Sequence, residues 1–243
     1  AVEAYRAAAR LPNLDIIGVS CHIGSQVTKV SPFVDALGRL QVLVRRLREE
    51  GMDIRYLDLG GGLGITYREE TPPLPAEYAG ALLAMARDLD CTLILEPGRV
   101  IVGNAGILVT KALYTKTTGV KNFVVVDAGM NDLIRPSLYD SYHRIQSIVR
   151  RDGGEIEADI VGPICESGDY LARKRKMPAF QSGDLIAVMS AGAYGFTMSS
   201  NYNSRPRVAE VLVEGDRFHV IRERETYADL VRGERIPPFL LSE

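Results

Sequence analysis

The sequence predicts an α/β region followed by a mostly β domain, and two patterns lead to this prediction. Over the first hundred residues, short β-branched runs alternate with longer helical patterns, the order that builds a parallel sheet with crossover helices. Near residue 105 this alternation stops, and strand-like runs follow one another with loops between them. We therefore predict a first domain at residues 1–104 and a second domain at residues 105–243.

The first domain begins with a charged helical stretch at residues 1–10 and continues as βαβαβ. Three apolar runs predict buried parallel strands, at residues 14–20, 54–59 and 92–96. The helix after the first strand begins at Ser31, whose hydroxyl is suited to cap first-turn amides; Pro32 follows, and Gly51 ends it. Its predicted apolar face consists of Val34, Leu37, Leu40, Val44 and Leu47. Another helix is predicted at residues 75–89.

The second domain contains four strand-like runs, at residues 107–114, 122–126, 184–189 and 207–214. The first domain has only about three β-α units, whereas a (β/α)₈ barrel has eight in roughly 250 residues. Its sheet is therefore either open or the later half of a barrel whose first half is missing from these residues.

Composition and charge narrow the class of partner. The chain has 243 residues with 46% hydrophobic content, enough for a sizeable core. Lysine and arginine total 29 against 31 acidic residues, so no basic field exists for nucleic acid or a membrane surface. No apolar run approaches the roughly 20 residues of a membrane span. Three widely spaced cysteines fit a reducing cytoplasm, and the expected partners are small molecules and other subunits.

Each predicted strand of the first domain ends in a polar or glycine-rich segment. These segments are His-Ile-Gly-Ser, Gly-Gly-Gly-Leu-Gly and Glu-Pro-Gly-Arg, at residues 22–25, 60–64 and 96–99. Because the carboxyl ends of parallel strands share one edge, we expect a single ligand site there. The glycine spacing matches neither a dinucleotide nor a Walker motif, but the amides can approach a phosphate closely. The alternative is that the glycines only turn the chain or allow tight packing.

Two side chains of these segments allow either a structural or a functional interpretation. Glu96 either forms a surface ion pair with Arg99 or holds a cationic ligand nitrogen. His22 is either a core histidine or a residue that stacks on a ligand. The three histidines, at positions 22, 143 and 219, lack metal-site spacing, so we expect no metal.

Three further segments carry reactive side chains in the second domain. A polar loop holds Cys165 and Glu166, and a cysteine in such a loop can donate a proton. A loop after the strand at 122–126 holds Arg135, a bidentate carboxylate binder, and the phenol of Tyr139. Tyr194 lies on a glycine-flanked turn. A cysteine-histidine hydrolase is an alternative that leaves the glycine segment and Glu96 without a role.

Taken in order, the three strand-end segments, Cys-Glu-Ser-Gly-Asp (165–169) and Gly-Ala-Tyr-Gly (192–195) resemble the fold-type III pyridoxal-phosphate decarboxylases. Nearly the whole chain takes part in this match. Asp-Ala-Gly-Met-Asn (127–131), Arg-Pro-Ser-Leu-Tyr (135–139) and the glutamate after Cys165 are similar to the diaminopimelate decarboxylase family. Ornithine decarboxylases usually have aspartate after that cysteine.

The resemblance implies the C-terminal half of a (β/α)₈ barrel, then a sandwich-like or barrel-like β domain, in a homodimer with shared active sites. It implies pyridoxal 5'-phosphate as cofactor, held by a lysine in the N-terminal half of the barrel. None of the six lysines lies in a matching strand, so this chain is expected to lack that lysine and to be incompetent in isolation.

The resemblance also implies a role for each candidate residue. His22 stacks on the cofactor ring, amides of Gly61 and Gly62 hold the phosphate, and Glu96 pairs with the pyridine nitrogen. Cys165 reprotonates the carbanion left by decarboxylation and, with Glu166, comes from the partner subunit. The other implied cofactor contacts are Ser25, Gly98, Arg99 and Tyr194. The implied substrate contacts are Arg99, Arg135, Tyr139, Glu166 and Tyr194.

The expected activity is decarboxylation of meso-2,6-diaminopimelate to L-lysine, the last step of lysine biosynthesis. This substrate carries a second carboxylate and a second ammonium at its far end, and binding them requires arginines and an acidic residue in the pocket. A decarboxylase of ornithine, lysine or arginine and a non-catalytic regulatory relative are the alternatives. An alanine-racemase-like enzyme ranks last, because it leaves Cys165 and Glu166 without a role.

Overall fold

The computed structural model describes residues 1–149 and 154–241. The chain divides into two compact units, Ala1–Ala105 and Gly106–Glu243. Within the described residues, no helix has both the length and the apolar character needed to cross a membrane.

The first unit is a three-stranded parallel sheet with helices between its strands. Its elements in chain order are α1 (Val2–Ala8), β1 (Gly18–Ser20), α2 (Ser31–Glu49), β2 (Tyr56–Asp58), α3 (Pro75–Ala86) and β3 (Thr92–Ile94). The strands pair in sequence order with β2 in the middle, and both pairings are parallel. This confirms the βαβαβ prediction and the charged N-terminal helix.

The strands are shorter than predicted. Each has three residues, and the predicted run at 14–20 contributes only its last three to the sheet. Leu14 and Ile17 are 56% and 40% exposed, so part of the predicted apolar run lies on the surface of this unit and not in a buried strand. In β1 only Val19 is buried.

Helix α2 packs one apolar face against the sheet and α3, and it begins differently from the prediction. Phe33 takes the place predicted for Val34, because it lies one turn before Leu37 on the buried face. The cap position belongs to Val30, and no side chain caps this end, so Ser31 is not the N-cap. Gly51 follows the helix with φ 84°, as expected of a terminating glycine. The buried residues of this face are Phe33, Leu37, Leu40, Val44 and Leu47.

The second unit is mostly β. Its strands are β4 (Leu108–Thr117), β5 (Asn122–Val126), β6 (Ile145–Ser147), β7 (Glu155–Val161), β8 (Tyr170–Pro178), β9 (Leu185–Val188), β10 (Glu210–Glu214) and β11 (Arg217–Arg222). Two short helices are α4 (Arg135–Tyr139) and α5 (Tyr227–Val231). Six strands form one sheet in the order β6-β9-β4-β5-β7-β8, and β10 pairs with β11 in a separate hairpin.

The six-stranded sheet curves into a nearly closed barrel, because its two edge strands β6 and β8 contact each other. All of its pairings are antiparallel except the pairing of β5 with β7. Inward residues such as Val124, Ile160 and Ile186 are fully buried and form the core of this unit. Two loops that leave this barrel carry the predicted segments at 127–139 and 165–169.

Candidate active site

Backbone hydrogen bonds tie the three strand-end segments of the first unit together. The amide of Glu96 donates to the carbonyl of Gly60 at 2.9 Å, and the amide of Val27 donates to the carbonyl of Gly62 at 2.9 Å. The amide of Cys21 donates to the carbonyl of Asp58 at 3.0 Å. The segments after β1, β2 and β3 therefore meet at one edge of the sheet, as predicted from the parallel order.

The glycines of this edge are required for close packing. A Cβ on Gly61 would overlap with the carbonyl oxygen of Glu96, and a Cβ on Gly62 would overlap with that of Gly24. Gly62 also has φ 102°, a conformation that side chains rarely adopt. Tight packing of three loops thus explains the absence of side chains here, and a binding role rests on the backbone amides.

The amides at this edge differ in their partners. Gly60 donates to Asp58 Oδ1 at 2.8 Å, and Gly61 donates to His22 Nδ1 at 3.3 Å, a long hydrogen bond. The amides of Gly62 and Gly98 donate to no acceptor in residues 1–149 and 154–241. Two donors at this edge can therefore bind an anion without first breaking a protein hydrogen bond.

His22 and Glu96 are both exposed at this edge. Because His22 Nδ1 accepts from the Gly61 amide, a neutral ring carries its proton on Nε2. The Glu96 carboxylate has no ion-pair partner among the described residues, so the surface ion pair with Arg99 is not formed. The ring of His22 is tied to the Gly61 amide, whereas Glu96 is fixed through its own amide, which donates to the carbonyl of Gly60.

Arg99 is half-buried against the loop that follows the glycines. Its Nη1 donates to Tyr67 Oη at 3.3 Å and lies 3.5 Å from Gln26 Oε1. Gln26 in turn bonds the backbone of Ile65 in both directions. Tyr67 and Gln26 were not predicted from the sequence. Ser25, the remaining candidate beside Gln26, is exposed.

In the second unit, Arg135 is buried with 6% of its surface exposed and contacts a histidine that the sequence did not single out. Its Nη1 lies 3.0 Å from His143 Nε2, and His143 Nδ1 lies 2.8 Å from the carbonyl of Met189. A carbonyl only accepts, so Nδ1 carries the proton and Nε2 accepts from the guanidinium. Burial lowers the pKa of His143 to about 4, and the positive charges of Arg135 and Arg175 lower it as well.

Tyr139 is the last residue of the short helix that begins with Arg135. The two are one turn apart, yet Tyr139 is 62% exposed whereas Arg135 is buried. Asp140 ends the helix with φ 51° in the left-handed region. The predicted pair is therefore one buried cation followed by one exposed phenol.

The loop with Cys165 and Glu166 is anchored by the buried carboxylate of Asp169. Asp169 Oδ1 accepts from the amide of Met130 and Oδ2 from the amide of Ile164, each at 2.6 Å. Burial raises the pKa of Asp169, and these two hydrogen bonds oppose that rise. The loop is thereby joined to the loop after β5, while Cys165 itself is exposed.

Glu166 and Tyr194 have specific local geometry. Glu166 Oε2 accepts a hydrogen bond from Tyr202 Oη at 2.5 Å, which raises the pKa of Tyr202. Tyr194 is 39% exposed and has φ 59°, an uncommon conformation for a bulky residue. Strained backbone of this kind concentrates at functional positions, which supports Tyr194 as a candidate.

Comparisons with known proteins identify a family. The model of the pyridoxal-dependent decarboxylase C-terminal sheet domain matches residues 27–192. Diaminopimelate decarboxylase of Vibrio cholerae is 53% identical over 239 residues, which are 98% of this chain and 57% of that protein. The Pseudomonas aeruginosa enzyme of the same name is 54% identical over 234 residues, 96% of this chain and 56% of that protein.

Solved structures agree with these matches. A crystal structure of diaminopimelate decarboxylase from Helicobacter pylori, complexed with L-lysine, has a TM-score of 0.85 and 41% identity, covering 96% of this chain and 58% of that one. A crystal structure of an Aquifex aeolicus protein has a TM-score of 0.90 and 49% identity, with coverage of 96% and 58%. The chain thus spans somewhat more than half the length of the relatives it matches.

Proposed function

The chain belongs to the pyridoxal-dependent decarboxylases, and from this premise we propose that the protein decarboxylates meso-2,6-diaminopimelate to L-lysine with pyridoxal 5'-phosphate as cofactor. The observation that carries the proposal is identity of about half, over nearly the whole chain, to enzymes named diaminopimelate decarboxylase. The complex of the Helicobacter pylori relative with L-lysine supports an amino acid as ligand.

The strand-end edge of the first unit fits the cofactor. A phosphate needs unoccupied amide donors and close backbone approach, and the glycine-lined loop with its Gly62 and Gly98 amides offers both. A pyridinium nitrogen needs a carboxylate, and Glu96 has one exposed and outside any ion pair in the described residues. When bound, the cofactor supplies an electron sink for the bond electrons that remain after carbon dioxide leaves.

Several residues of this edge would hold the cofactor. We assign the phosphate to the amides of Gly61 and Gly62, with Ser25, Gly98 and Arg99 as further contacts; the Gly61 amide would exchange its long hydrogen bond to His22 Nδ1 for one to the phosphate. The exposed ring of His22 would pack against the cofactor ring. The carboxylate of Glu96 favours the protonated pyridine nitrogen, because an adjacent negative charge stabilises the cation. Tyr194 contacts both cofactor and substrate.

The substrate contacts follow from its second amino-acid head. Arg99, Arg135 and Tyr139 bind the carboxylate that is not removed, since a guanidinium fork matches its geometry. Glu166, oriented by the Tyr202 hydroxyl, pairs with the distal ammonium. The exposed thiol of Cys165 would supply the proton that takes the place of carbon dioxide on the substrate. The two hydrogen bonds that the Asp169 carboxylate accepts fix the loop that carries Cys165.

The remaining assignments concern the whole protein. Residues 1–104 are proposed to be the C-terminal half of a (β/α)₈ barrel, a role supported by three parallel strands in sequence order. Residues 105–243 are proposed to carry substrate and dimer-interface residues. We propose a homodimer in which Cys165 and Glu166 serve the partner's site. The cytoplasm is the proposed compartment, because its reducing conditions suit three free thiols.

Carbon dioxide release by the complete gene product tests the function. With pyridoxal phosphate added, meso-diaminopimelate should be turned over, whereas ornithine, arginine and lysine should be poor substrates. Preference for one of these three would replace the substrate assignment with another basic amino acid. If no amino acid is decarboxylated, the catalytic proposal fails and a regulatory relative takes its place.

A further inference from the structure

His143 is a fully buried side chain whose two ring nitrogens are both engaged, and none of the roles above uses it. It lies between Arg135 at the start of α4 and the carbonyl of Met189 just after β9. These two elements are far apart in sequence, so the ring is a link between the arginine and the sheet. A link of this kind fixes the position of the arginine more tightly than burial alone.

The charges around the ring explain why it must be neutral. Arg135 contacts Nε2 from α4, and Arg175 of β8 donates to the backbone carbonyl of His143 at 3.0 Å. Only a neutral ring with the proton on Nδ1 accepts from the guanidinium, and a second proton would place a cation against Arg135. Arg175 itself stacks on the Tyr142 ring at 3.8 Å.

We propose that His143 is a positioning residue that holds the Arg135 guanidinium in the plane needed to bind the carboxylate at the non-reacting end of the substrate. This inference rests on the proposed function and extends it to substrate selection. A flexible arginine loses conformational freedom when it binds a carboxylate, and fixing it beforehand removes that cost from binding. A ligand with a distal carboxylate therefore gains from His143, and a ligand without one does not.

Two variants of the complete gene product, loaded with pyridoxal phosphate, separate the two hydrogen bonds of the ring. His143→Asn can keep the donor to Met189 but places no acceptor near Arg135. His143→Gln can present its amide oxygen to Arg135. His219→Asn, on the exposed strand β11, is the matched control for loss of an imidazole.

For His143→Asn we expect KM for meso-diaminopimelate to rise about tenfold, the loss typical when a charged donor loses its partner, with kcat within about twofold. His143→Gln should recover most of the rise, and His219→Asn should match the unaltered protein. Product inhibition gives a second readout. L-Lysine keeps the distal carboxylate and should inhibit His143→Asn less well, whereas cadaverine, which has no carboxylate, should inhibit both proteins equally.

Equal weakening of L-lysine and cadaverine inhibition would overturn the inference, because it would indicate general damage to the site. A fall in kcat with an unchanged KM would also overturn it. If His143→Asn does not fold, His143→Gln is compared with the unaltered protein. The inference then requires the ratio of the L-lysine inhibition constant to the cadaverine inhibition constant to be the same in both proteins. Lack of decarboxylation and lysine inhibition in the unaltered protein would instead refute the proposed function.

Discussion

Single side chains at the two candidate regions are held in different ways. In the first unit, His22 and Glu96 are exposed; the His22 ring accepts from the Gly61 amide, and the Glu96 amide donates to the Gly60 carbonyl. In the second unit, Arg135 and Glu166 are held by other side chains, His143 and Tyr202. A carboxylate-binding group that depends on a neighbouring side chain is sensitive to the protonation of that neighbour.

The protonation of His143 should make stability depend on pH. In the unfolded chain its pKa returns to its ordinary 6.5, whereas the folded value is about 4. Between these values the unfolded chain binds a proton that the folded protein does not, so the unfolding free energy falls as the pH is lowered from 6.5 towards 4. The full contribution is present above pH 6.5 and amounts to roughly 3 kcal/mol.

Urea denaturation of the unaltered protein and of His143→Asn at pH 7.5 and at pH 5 measures this contribution. The unaltered protein should lose more stability between the two conditions than the variant loses. Asp132 and Asp169 act in the opposite direction, because burial raises the pKa of each, but both proteins contain them. Equal losses in the two proteins would show that the His143 ring does not stay neutral in the fold.

The sequence pointed to candidate side chains such as Cys165 and Glu166, but not to the side chains that contact and position them. Cys165 and Glu166 stand out because reactive groups beside glycine in a polar loop are unusual. Asp169, His143 and Tyr202 each make one contact with a residue 36 to 46 positions away, and no local sequence pattern predicts such contacts. Sequence alone could not have found the link between His143 and Met189.

At the level of elements, hydrophobic periodicity predicted the buried helices and several strands. Strands rich in charged residues lack this periodicity and were not predicted. β5 has the predicted bounds, because Asn122–Val126 is an apolar run between polar turns. β8 was missed because Arg173, Lys174, Arg175 and Lys176 occupy its centre, and one of them, Lys174, has φ 45°. Long basic side chains give a strand the composition of a loop, and the register of β8 with β7 also shifts here, so that the amide of Lys174 donates to Asp159 Oδ1 at 2.6 Å.

The glycine segment after β2 gives a prediction at the same scale. Gly62→Ala places a methyl group on the carbonyl oxygen of Gly24 at φ 102°, so the loops that carry Gly62 and Gly24 must separate. We expect the unfolding free energy of the complete protein to fall by roughly 1–3 kcal/mol, the range for strained backbone. Pyridoxal phosphate affinity, followed by cofactor absorbance, should fall as well.

Gly80 provides the matched control in the same unit. It lies inside α3 with nothing within 4 Å of an added Cβ, so Gly80→Ala should raise stability by up to about 1 kcal/mol and leave cofactor affinity unchanged. If Gly62→Ala keeps both properties of the unaltered protein, the close approach of the loops is not required for binding.

At the scale of the whole molecule, local sequence pattern predicted the change from an α/β domain to a β domain. It did not specify whether the sheet of the first domain is open or part of a (β/α)₈ barrel. The change from α/β to β near residue 105 is a property of local pattern, and the structure divides the chain at Ala105. Closure of a barrel depends on strands far apart in sequence, and three strands specify an open sheet equally well. The proposed sharing of a site between two chains likewise has no counterpart in sequence periodicity.

Subunit complementation tests the proposed sharing of sites in a homodimer. Cys165→Ala removes the proposed proton donor, and Glu96→Ala removes the proposed pyridine partner, so each variant alone should be nearly inactive. If Cys165 serves the partner's cofactor site, a mixed dimer has one site with both groups intact and one with neither. Random reassociation of an equal mixture makes half of the dimers mixed, so about a quarter of the unaltered activity should return.

The control for this experiment is an equal mixture of Cys165→Ala with Cys165→Ser. Its dimers lack the thiol at every site and should recover no activity, although the subunits exchange in the same way. Recovery should also require exchange, so it should depend on dissociation of the dimers by dilution or mild urea before mixing. If the first mixture stays as inactive as the control after exchange is verified by mass, Cys165 acts within its own chain.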